Sequence, residues 1–216
     1  MIYAYDKTYL EDARRALARM LDYAVNDLKF DISEFYYYFL SSNISEQFEN
    51  GNPSVIAGRS GTEIAYMVIE ENNINIECIK PKYTVNRSEE YWTGYALAYF
   101  QWRTGLSFKD IDKYIPIERI QKLYNPYHEM DIRQFYDRMV SIYMEEKPDT
   151  NLKSLRKRAK LSQKELSEIT DIPIRTIQQY EQRQKDINKA SMEYVYKLSK
   201  ALMCEPKDLM EFVNKG

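Results

Sequence analysis

The stretch Leu161–Glu181, LSQKELSEITDIPIRTIQQYE, contains the signals for two short helices and for the break between them. Ser162 is followed three residues later by Glu165, a capping box in which the two side chains satisfy backbone N–H groups that the first turn leaves free. This signal predicts a helix that begins at Gln163. The segment TDIP ends that helix, because Pro173 is unfavourable inside a helix but tolerated at the start of the next one. The sequence therefore predicts two helices joined by a turn of about four residues.

The apolar positions indicate which side of each helix faces a core. Leu166 and Ile169 are expected to face inward from the first helix, and the small Ser167 leaves room for another helix to cross. Ile177 and Tyr180 are expected to face inward from the second helix. The flanking segments continue the helical pattern, with core positions at Leu152 and Leu155 before the pair and at Met192, Val195, Leu198, Leu202 and Leu209 after it.

These helices together resemble a known family. In spacing, capping and helix number, residues 150–216 are similar to the Xre/Cro family of phage-repressor-like helix-turn-helix domains, with matching segments LSQ from Leu161 and LSKAL from Leu198. The resemblance implies a five-helix DNA-binding domain whose second motif helix, the recognition helix, lies in the major groove. Asp171 stands where the family usually has glycine, and aspartate adopts the left-handed backbone conformation more easily than most residues. The loop after the recognition helix is longer than in the family.

The resemblance also implies which side chains contact DNA. Arginine can bind guanine through two hydrogen bonds, glutamine can bind adenine in the same way, and isoleucine can contact a thymine methyl group. Gln163 corresponds to a phosphate contact, and Thr176 faces the backbone or a base at the start of the recognition helix. Phosphate contacts position a protein on DNA but carry no sequence information. The expected base readers are Ile174, Arg175, Gln178 and Gln179, and the expected phosphate contacts in the following loop are Arg183, Lys185 and Lys189.

Charge separates this C-terminal segment from the rest of the chain. Residues 150–216 contain 14 Lys and Arg against 9 Asp and Glu, whereas the preceding residues contain 17 against 24. A basic segment on an acidic body indicates an anionic partner for that segment alone. Two alternatives stay open: such helix pairs also occur in plain bundles and in protein-binding versions of the fold, and the basic run Arg156, Lys157, Arg158 and Lys160 could form a solvated face.

Residues 1–146 read as an α-helical body, separated from the C-terminal domain by the polar hinge KPDTN. Only 6 glycines and 7 prolines in 216 residues favour helix, and a hydrophobic fraction of 44% allows a proper core. Asp31 and Glu34 form a predicted capping box, and the segment NINIECIKPKYTV is ambiguous and could contain a short strand. The predicted helices cover residues 9–28, the segment after Asp31, TEIAYMVIEEN from Thr62, SEEYWTGYALAYFQWRTG from Ser88, SFKDIDKYI, PIERIQKLY and DIRQFYDRMVSIYMEE. The helix from Ser88 is apolar around most of its circumference and is expected to be central.

The body shows no catalytic pattern. His128 is the only histidine and lies outside any HExxH motif, so we expect a structural or helix-capping role for it. The sequence contains no phosphate-binding loop and no cluster with metal-ligand spacing. We therefore expect no enzymatic activity, no cofactor and no metal. The 20 tyrosines suit half-buried positions at the edge of a core, or alternatively a ligand or partner groove.

The predicted function is sequence-specific transcriptional regulation by a homodimer bound to double-stranded DNA. The body at 1–146 would serve oligomerisation, or the binding of a small-molecule effector or a protein. The alternative is an antitoxin, in which the body binds a toxin and the domain at 150–216 represses its own operon. We expect a cytoplasmic location with Cys78 and Cys204 reduced, because the sequence shows neither a signal peptide nor the roughly 20 apolar residues of a membrane span.

Overall fold

The computed structural model describes residues 3–77, 79–82, 87–147 and 149–211. Over these ranges the regular structure is helical and contains no strand. The mainly α fold predicted from the sequence is therefore confirmed. Residues 74–77 and 79–82 of the ambiguous segment are irregular, and the rest of that segment, with Cys78, lies outside the described residues.

The chain divides into two compact units, Met1–Glu146 and Lys147–Gly216. In the first unit a 3₁₀ turn, Lys7–Tyr9, leads into a long helix that ends in a π-helical turn, Tyr23–Asp27. The α-helices of this unit are α1 (Leu10–Asp22), α2 (Ile32–Ser41), α3 (Asn43–Glu49), α4 (Pro53–Ile56), α5 (Gly61–Glu71), α6 (Glu89–Thr104), α7 (Phe108–Tyr114), α8 (Ile117–Gln121), α9 (Tyr124–Tyr127) and α10 (Ile132–Glu146).

The first unit is built around α1, which packs against α5 and α6. Glycines allow both close approaches: a Cβ atom at Gly94 of α6 would lie 2.6 Å from the carbonyl oxygen of Leu17, and one at Gly61 of α5 would lie 2.5 Å from that of Ala16. These distances are below van der Waals contact, so only glycine fits. Most of α6 is buried, as predicted for the central helix, and it begins after Ser88, whose hydroxyl accepts the backbone N–H of Tyr91.

Aromatic side chains fill much of this core. Phe39, Phe48 and Phe108 are fully buried and meet edge to face, with ring centroids 5.1–6.4 Å apart. Tyr36 is also buried, whereas its neighbour Tyr37 is 66% exposed. The tyrosine-rich run of α2 therefore contributes to the core on one side and to the surface on the other.

The helix caps of the first unit include one capping box that was not predicted and one predicted box that does not form. Ser60 and Glu63 form a reciprocal capping box at the start of α5. Asp31 caps α2 by accepting the backbone N–H groups of Ser33 and Glu34, but the predicted box with Glu34 is wrong. The Glu34 carboxylate instead accepts the hydroxyl of Tyr38, one helical turn further on.

The second unit contains five α-helices within residues 149–211. They are α11 (Asn151–Arg158), α12 (Gln163–Thr170), α13 (Ile174–Glu181), α14 (Met192–Ala201) and α15 (Pro206–Leu209), with a 3₁₀ turn, Ile187–Lys189, before α14. Their core consists of Leu152, Leu166, Ile172, Ile177, Tyr180, Ile187, Val195, Leu198, Leu202 and Leu209. Met192, predicted to belong to this core, is 81% exposed. It precedes Val195 by three residues, which rotates it about 60° from Val195 around a helix of 3.6 residues per turn.

Candidate nucleic-acid interface

The helix pair α12–α13 has the predicted capping and turn. The Ser162 hydroxyl accepts the backbone N–H of Glu165 at 3.1 Å, and the Glu165 carboxylate accepts the N–H of Ser162 at 2.7 Å. That hydrogen bond lowers the pKa of the Glu165 carboxyl below its usual value. Asp171 ends α12 in the left-handed conformation, with φ 53° and ψ 33°, as expected from its place in the family pattern. The hydroxyl of Ser167 closes the turn by donating to the carbonyl oxygen of Ile172 at 2.6 Å.

The inward face of α12 is narrower than predicted. Leu166 and Thr170 are buried, but Ile169 is 59% exposed. In a helix of eight residues, these two positions, four apart, define the buried side, and Ile169 lies about 100° away from Thr170. The prediction that Ile169 faces the core is therefore wrong.

Helix α13 has one buried face and one outward face. Ile177 is fully buried and Tyr180 is 7% exposed, so both predicted core positions are confirmed. At the other face, Ile174 is 40% exposed and Arg175 is exposed, without a hydrogen bond or ion pair to the described residues. The remaining predicted DNA contacts of this helix, Thr176, Gln178 and Gln179, are half-buried.

A buried polar network holds α13 in place. The guanidinium of Arg156 in α11 donates two hydrogen bonds to the carboxylate of Glu181, at 2.6 and 2.8 Å, and a third to the carbonyl oxygen of Leu161 at 2.7 Å. The hydrogen bonding to Glu181 raises the pKa of Arg156 above its usual value. Only 11% of the Arg156 side chain and 2% of the Glu181 side chain are exposed. Arg156 is therefore not part of a solvated basic face.

Gln163, the predicted phosphate contact at the start of α12, belongs to the same network. Its amide nitrogen donates to Glu181 at 2.7 Å, and its amide oxygen lies 3.5 Å from the amide nitrogen of Gln178. The network thus joins α11, α12 and α13 through the last residue of α13. The sequence analysis missed it because its members are up to 25 residues apart and each also fits a surface position.

Three cations after α13 are predicted to contact phosphates, and the structure places Lys185 and Lys189 at the surface and Arg183 in a half-buried position. Arg183 is half-buried with a positive φ of 56°, and its guanidinium donates to the carbonyl oxygen of Lys147 at 2.9 Å. Lys185 is exposed. Ile187, at 4% exposure, anchors the loop in the core of the unit. In this conformation Lys185 is open to an approaching anion, whereas Arg183 connects the loop to the start of the unit.

The cations of this unit fall into two sets. Lys153 and Lys157 both pair with Asp149 at 2.6 Å, which lowers the pKa of that carboxyl. The cations at the surface without an ion-pair partner among the described residues are Arg158, Lys160, Arg175, Lys185, Lys189 and Lys200. The second set leaves positive charge on the recognition helix and on the loop that follows it.

His128, in the first unit, occupies a structural position. It follows α9, its Nδ1 lies 3.0 Å from the carbonyl oxygen of Tyr124, and its ring stacks on that of Tyr124 at 4.1 Å. Across the described residues, no group of His, Cys, Asp and Glu side chains is arranged to hold a metal ion. None of the helices described is both long and apolar enough to span a bilayer.

Comparison with family models gave a match within the C-terminal unit. Residues 152–209 match the family model described as helix-turn-helix, which agrees with the Xre-like resemblance of this segment, and the N-terminal body matches no family model. Curated protein sequences and solved structures gave no match to the chain. The matched segment begins in α11 and ends with α15, so it contains the whole polar network and all of α13.

Proposed function

We propose that this protein is a sequence-specific DNA-binding transcriptional regulator that reads the major groove with α13. The observation that carries the proposal is the arrangement of this helix: one side is held by the core and by Glu181, while Ile174 and Arg175 point outward. Such a helix presents its first residues to base edges. Two copies would bind half-sites about one helical turn, roughly 34 Å, apart.

The roles of individual side chains in this proposal differ. Arg175 and Gln179 would read bases, with Ile174 against a thymine methyl group. Lys185 would contact a phosphate. Gln163 has its amide nitrogen on Glu181, so it would position α13 as well as contact a phosphate.

The test begins with a pool of random DNA duplexes, from which those that bind the full chain are selected. Binding of the selected duplex and of a random duplex is then compared at two salt concentrations. We expect Arg175→Ala to reduce discrimination at one base position by about 1–3 kcal/mol. We expect Lys185→Ala to weaken binding to all duplexes and to lower the salt dependence by about one phosphate contact.

Lys207→Ala is the charge-matched control, because Lys207 is exposed on α15 and pairs with Glu205 at 2.8 Å. It should leave both affinities unchanged. Equal affinity of the full chain for selected and random duplexes would refute sequence-specific regulation. A uniform loss with Arg175→Ala would reassign that residue from bases to the phosphate backbone.

The N-terminal unit is proposed to bind a partner or to drive oligomerisation. Its excess of acidic residues, 23 against 16 basic ones in residues 1–146, suits a basic protein, which is also what the antitoxin alternative requires. Expression of the neighbouring small genes with and without this chain separates the two functions. If the chain is an antitoxin, it must restore growth that the product of one neighbouring gene inhibits. If it is only a regulator, it changes transcription and leaves growth inhibition unaffected.

A further inference from the structure

The loop after α13 is hydrogen-bonded to residues near both ends of the second unit. Residues 182–191 connect α13 to α14 and include the predicted phosphate contacts. The Arg183 guanidinium donates to the carbonyl oxygen of Lys147, the first residue of the unit, at 2.9 Å. The side-chain amide of Asn188 exchanges two hydrogen bonds with the backbone of Glu211, just beyond α15. Its oxygen accepts the Glu211 N–H at 2.9 Å, and its nitrogen donates to the Glu211 carbonyl oxygen.

The groups that hold the loop are themselves connected. The Glu211 carboxylate, on a side chain that is 4% exposed, accepts the backbone N–H of Asn151 in α11, and the Lys147 Nζ lies 4.0 Å from it. The side-chain amide of Asn151 accepts that Nζ at 2.7 Å and donates to the carbonyl oxygen of Met210 at 2.6 Å. Leu209, the preceding residue, is fully buried in the core of the unit. Both attachments of the loop therefore lead to one polar cluster beside this core.

The attachments leave the exposed cations of the loop outside the cluster. Lys185 lies between Arg183 and Asn188 in the chain, and Lys189 directly follows Asn188. Both lysine side chains are exposed and have no ion-pair partner among the described residues. The two side chains that bind the cluster are thus different from the two that an anion can reach.

We propose that Arg183 and Asn188 are positioning residues for DNA binding, which hold the loop so that Lys185 and Lys189 face the phosphate backbone. The inference rests on the proposed function, because holding the loop matters for affinity only if the domain binds DNA. A free loop loses conformational freedom when its side chains become fixed on a ligand, and this loss lowers the affinity. A loop that is already held in one conformation avoids much of that loss.

The proposal gives Arg183 a different role from the phosphate contact expected from the sequence. A guanidinium that binds a phosphate releases counterions and so adds to the salt dependence of binding, whereas a guanidinium that holds a loop adds nothing to it. The two roles therefore differ in a slope that can be measured. Asn188 carries no charge, so it contributes nothing to that slope in either case.

Binding of the full chain to selected and random duplexes over a range of salt concentrations tests the proposal. We expect Arg183→Ala and Asn188→Ala each to weaken binding to both duplexes by about threefold to tenfold, because the loop must then be ordered on binding. The slope of log affinity against log salt should stay unchanged, whereas Lys185→Ala should lower it by about one contact. Gln184→Ala is the matched control and should change neither quantity, because Gln184 is exposed in the same loop and donates to the side chain of Gln182.

Amide hydrogen exchange without DNA provides a readout that does not depend on binding. The backbone N–H groups of Lys185 and Lys189 are hydrogen-bonded, to the carbonyl oxygens of Gln179 and Asp186. We expect Asn188→Ala to raise the exchange rates of these two groups by about fivefold or more, because the loop then opens more often. Gln184→Ala should leave them unchanged, and thermal unfolding followed by circular dichroism checks that each variant is folded.

Three results would overturn the inference. The first is a salt slope lowered by Arg183→Ala as much as by Lys185→Ala, and the second is an unchanged affinity of Asn188→Ala. The third is a loss of affinity without faster exchange in the loop, because other contacts would then hold it. Selective binding by the full chain together with any of these results rejects only the positioning role. Equal binding to selected and random duplexes rejects the proposed function and this role together.

Discussion

The two units use their buried polar groups differently. In the first unit, a connected network around Arg19, Asp22 and Asp27 joins α1 and the π-helical turn to Ser88 before α6, whose hydroxyl donates to the Asp22 carboxylate at 2.7 Å; this network lies beside a large aromatic core. In the second unit, one connected network of Arg156, Gln163 and Glu181 joins three helices. The two networks differ in what they hold: the one around Glu181 in the second unit fixes a helix whose other face is open, whereas the one in the first unit joins α1 to α6, most of which is buried.

The largest effect should follow from opening the aromatic core. Phe39→Ala removes a fully buried ring between Phe48 and Phe108, and we expect it to lower the unfolding free energy of the first unit by about 4 kcal/mol. Trp92 and Trp102 are the two tryptophans of the chain and both belong to this unit, so their fluorescence measures it selectively. Tyr37→Ala, at an exposed neighbour, should change the value by less than about 0.5 kcal/mol. An equally small effect at Phe39 would show that the core repacks freely.

A smaller loss is expected from the polar network. Glu181→Ala leaves the buried Arg156 guanidinium without its carboxylate, and breaking such a pair costs about 3 kcal/mol. Far-UV circular dichroism should show an earlier transition for the second unit while tryptophan fluorescence keeps its midpoint. Replacing both partners by apolar residues, Arg156→Met with Glu181→Leu, should restore most of the stability, because no unpaired charge remains. Failure to do so would indicate that the network contributes more than charge neutralisation.

The two capping boxes provide a matched comparison between the units. Ser60→Ala and Ser162→Ala each remove one side-chain cap. We expect Ser60→Ala to lower the unfolding free energy of the first unit, measured by tryptophan fluorescence, by about 1 kcal/mol, and Ser162→Ala to lower that of the second unit by the same amount. Only Ser162→Ala should also weaken DNA binding, since it loosens the start of α12. Equal effects of both variants on binding would mean that the units are energetically coupled.

The smallest effect concerns pH. Hydrogen bonds from the preceding serines lower the pKa values of Glu63 and Glu165. A carboxyl whose pKa is lower in the folded chain stabilises it above the unfolded value, near 4.3, and this contribution is lost as the pH falls through the folded value. Carboxyl titration by NMR should give values below those of the unfolded chain at both positions. Glu165→Gln should flatten this part of the pH profile in the second unit only.

Local signals in the sequence predicted the elements of the C-terminal unit, but not the contacts between them. The capping box at Ser162 and the left-handed Asp171 depend on residues a few positions apart, so the pattern alone was sufficient. Ile169 and Met192 were assigned to the core because both are apolar at helical spacing, although short helices bury only a narrow side. Arg156 could not be assigned, because its partner follows 25 residues later and nothing local distinguishes a paired arginine from a solvated one. The DNA contacts themselves stay predictions.

The hydrogen bonds around Glu181 limit which residues of α13 can be substituted to change its DNA specificity. Ile174, Arg175 and Gln179 make no side-chain hydrogen bond to the described residues, whereas the Gln178 amide reaches Gln163. If α13 reads bases as proposed, substitutions at these three positions can change the DNA sequence that the protein recognises without disturbing the polar network. An exchange that also included Gln178 or Glu181 would change the base specificity and the position of α13 together. A change in DNA binding could then not be assigned to one of these two causes.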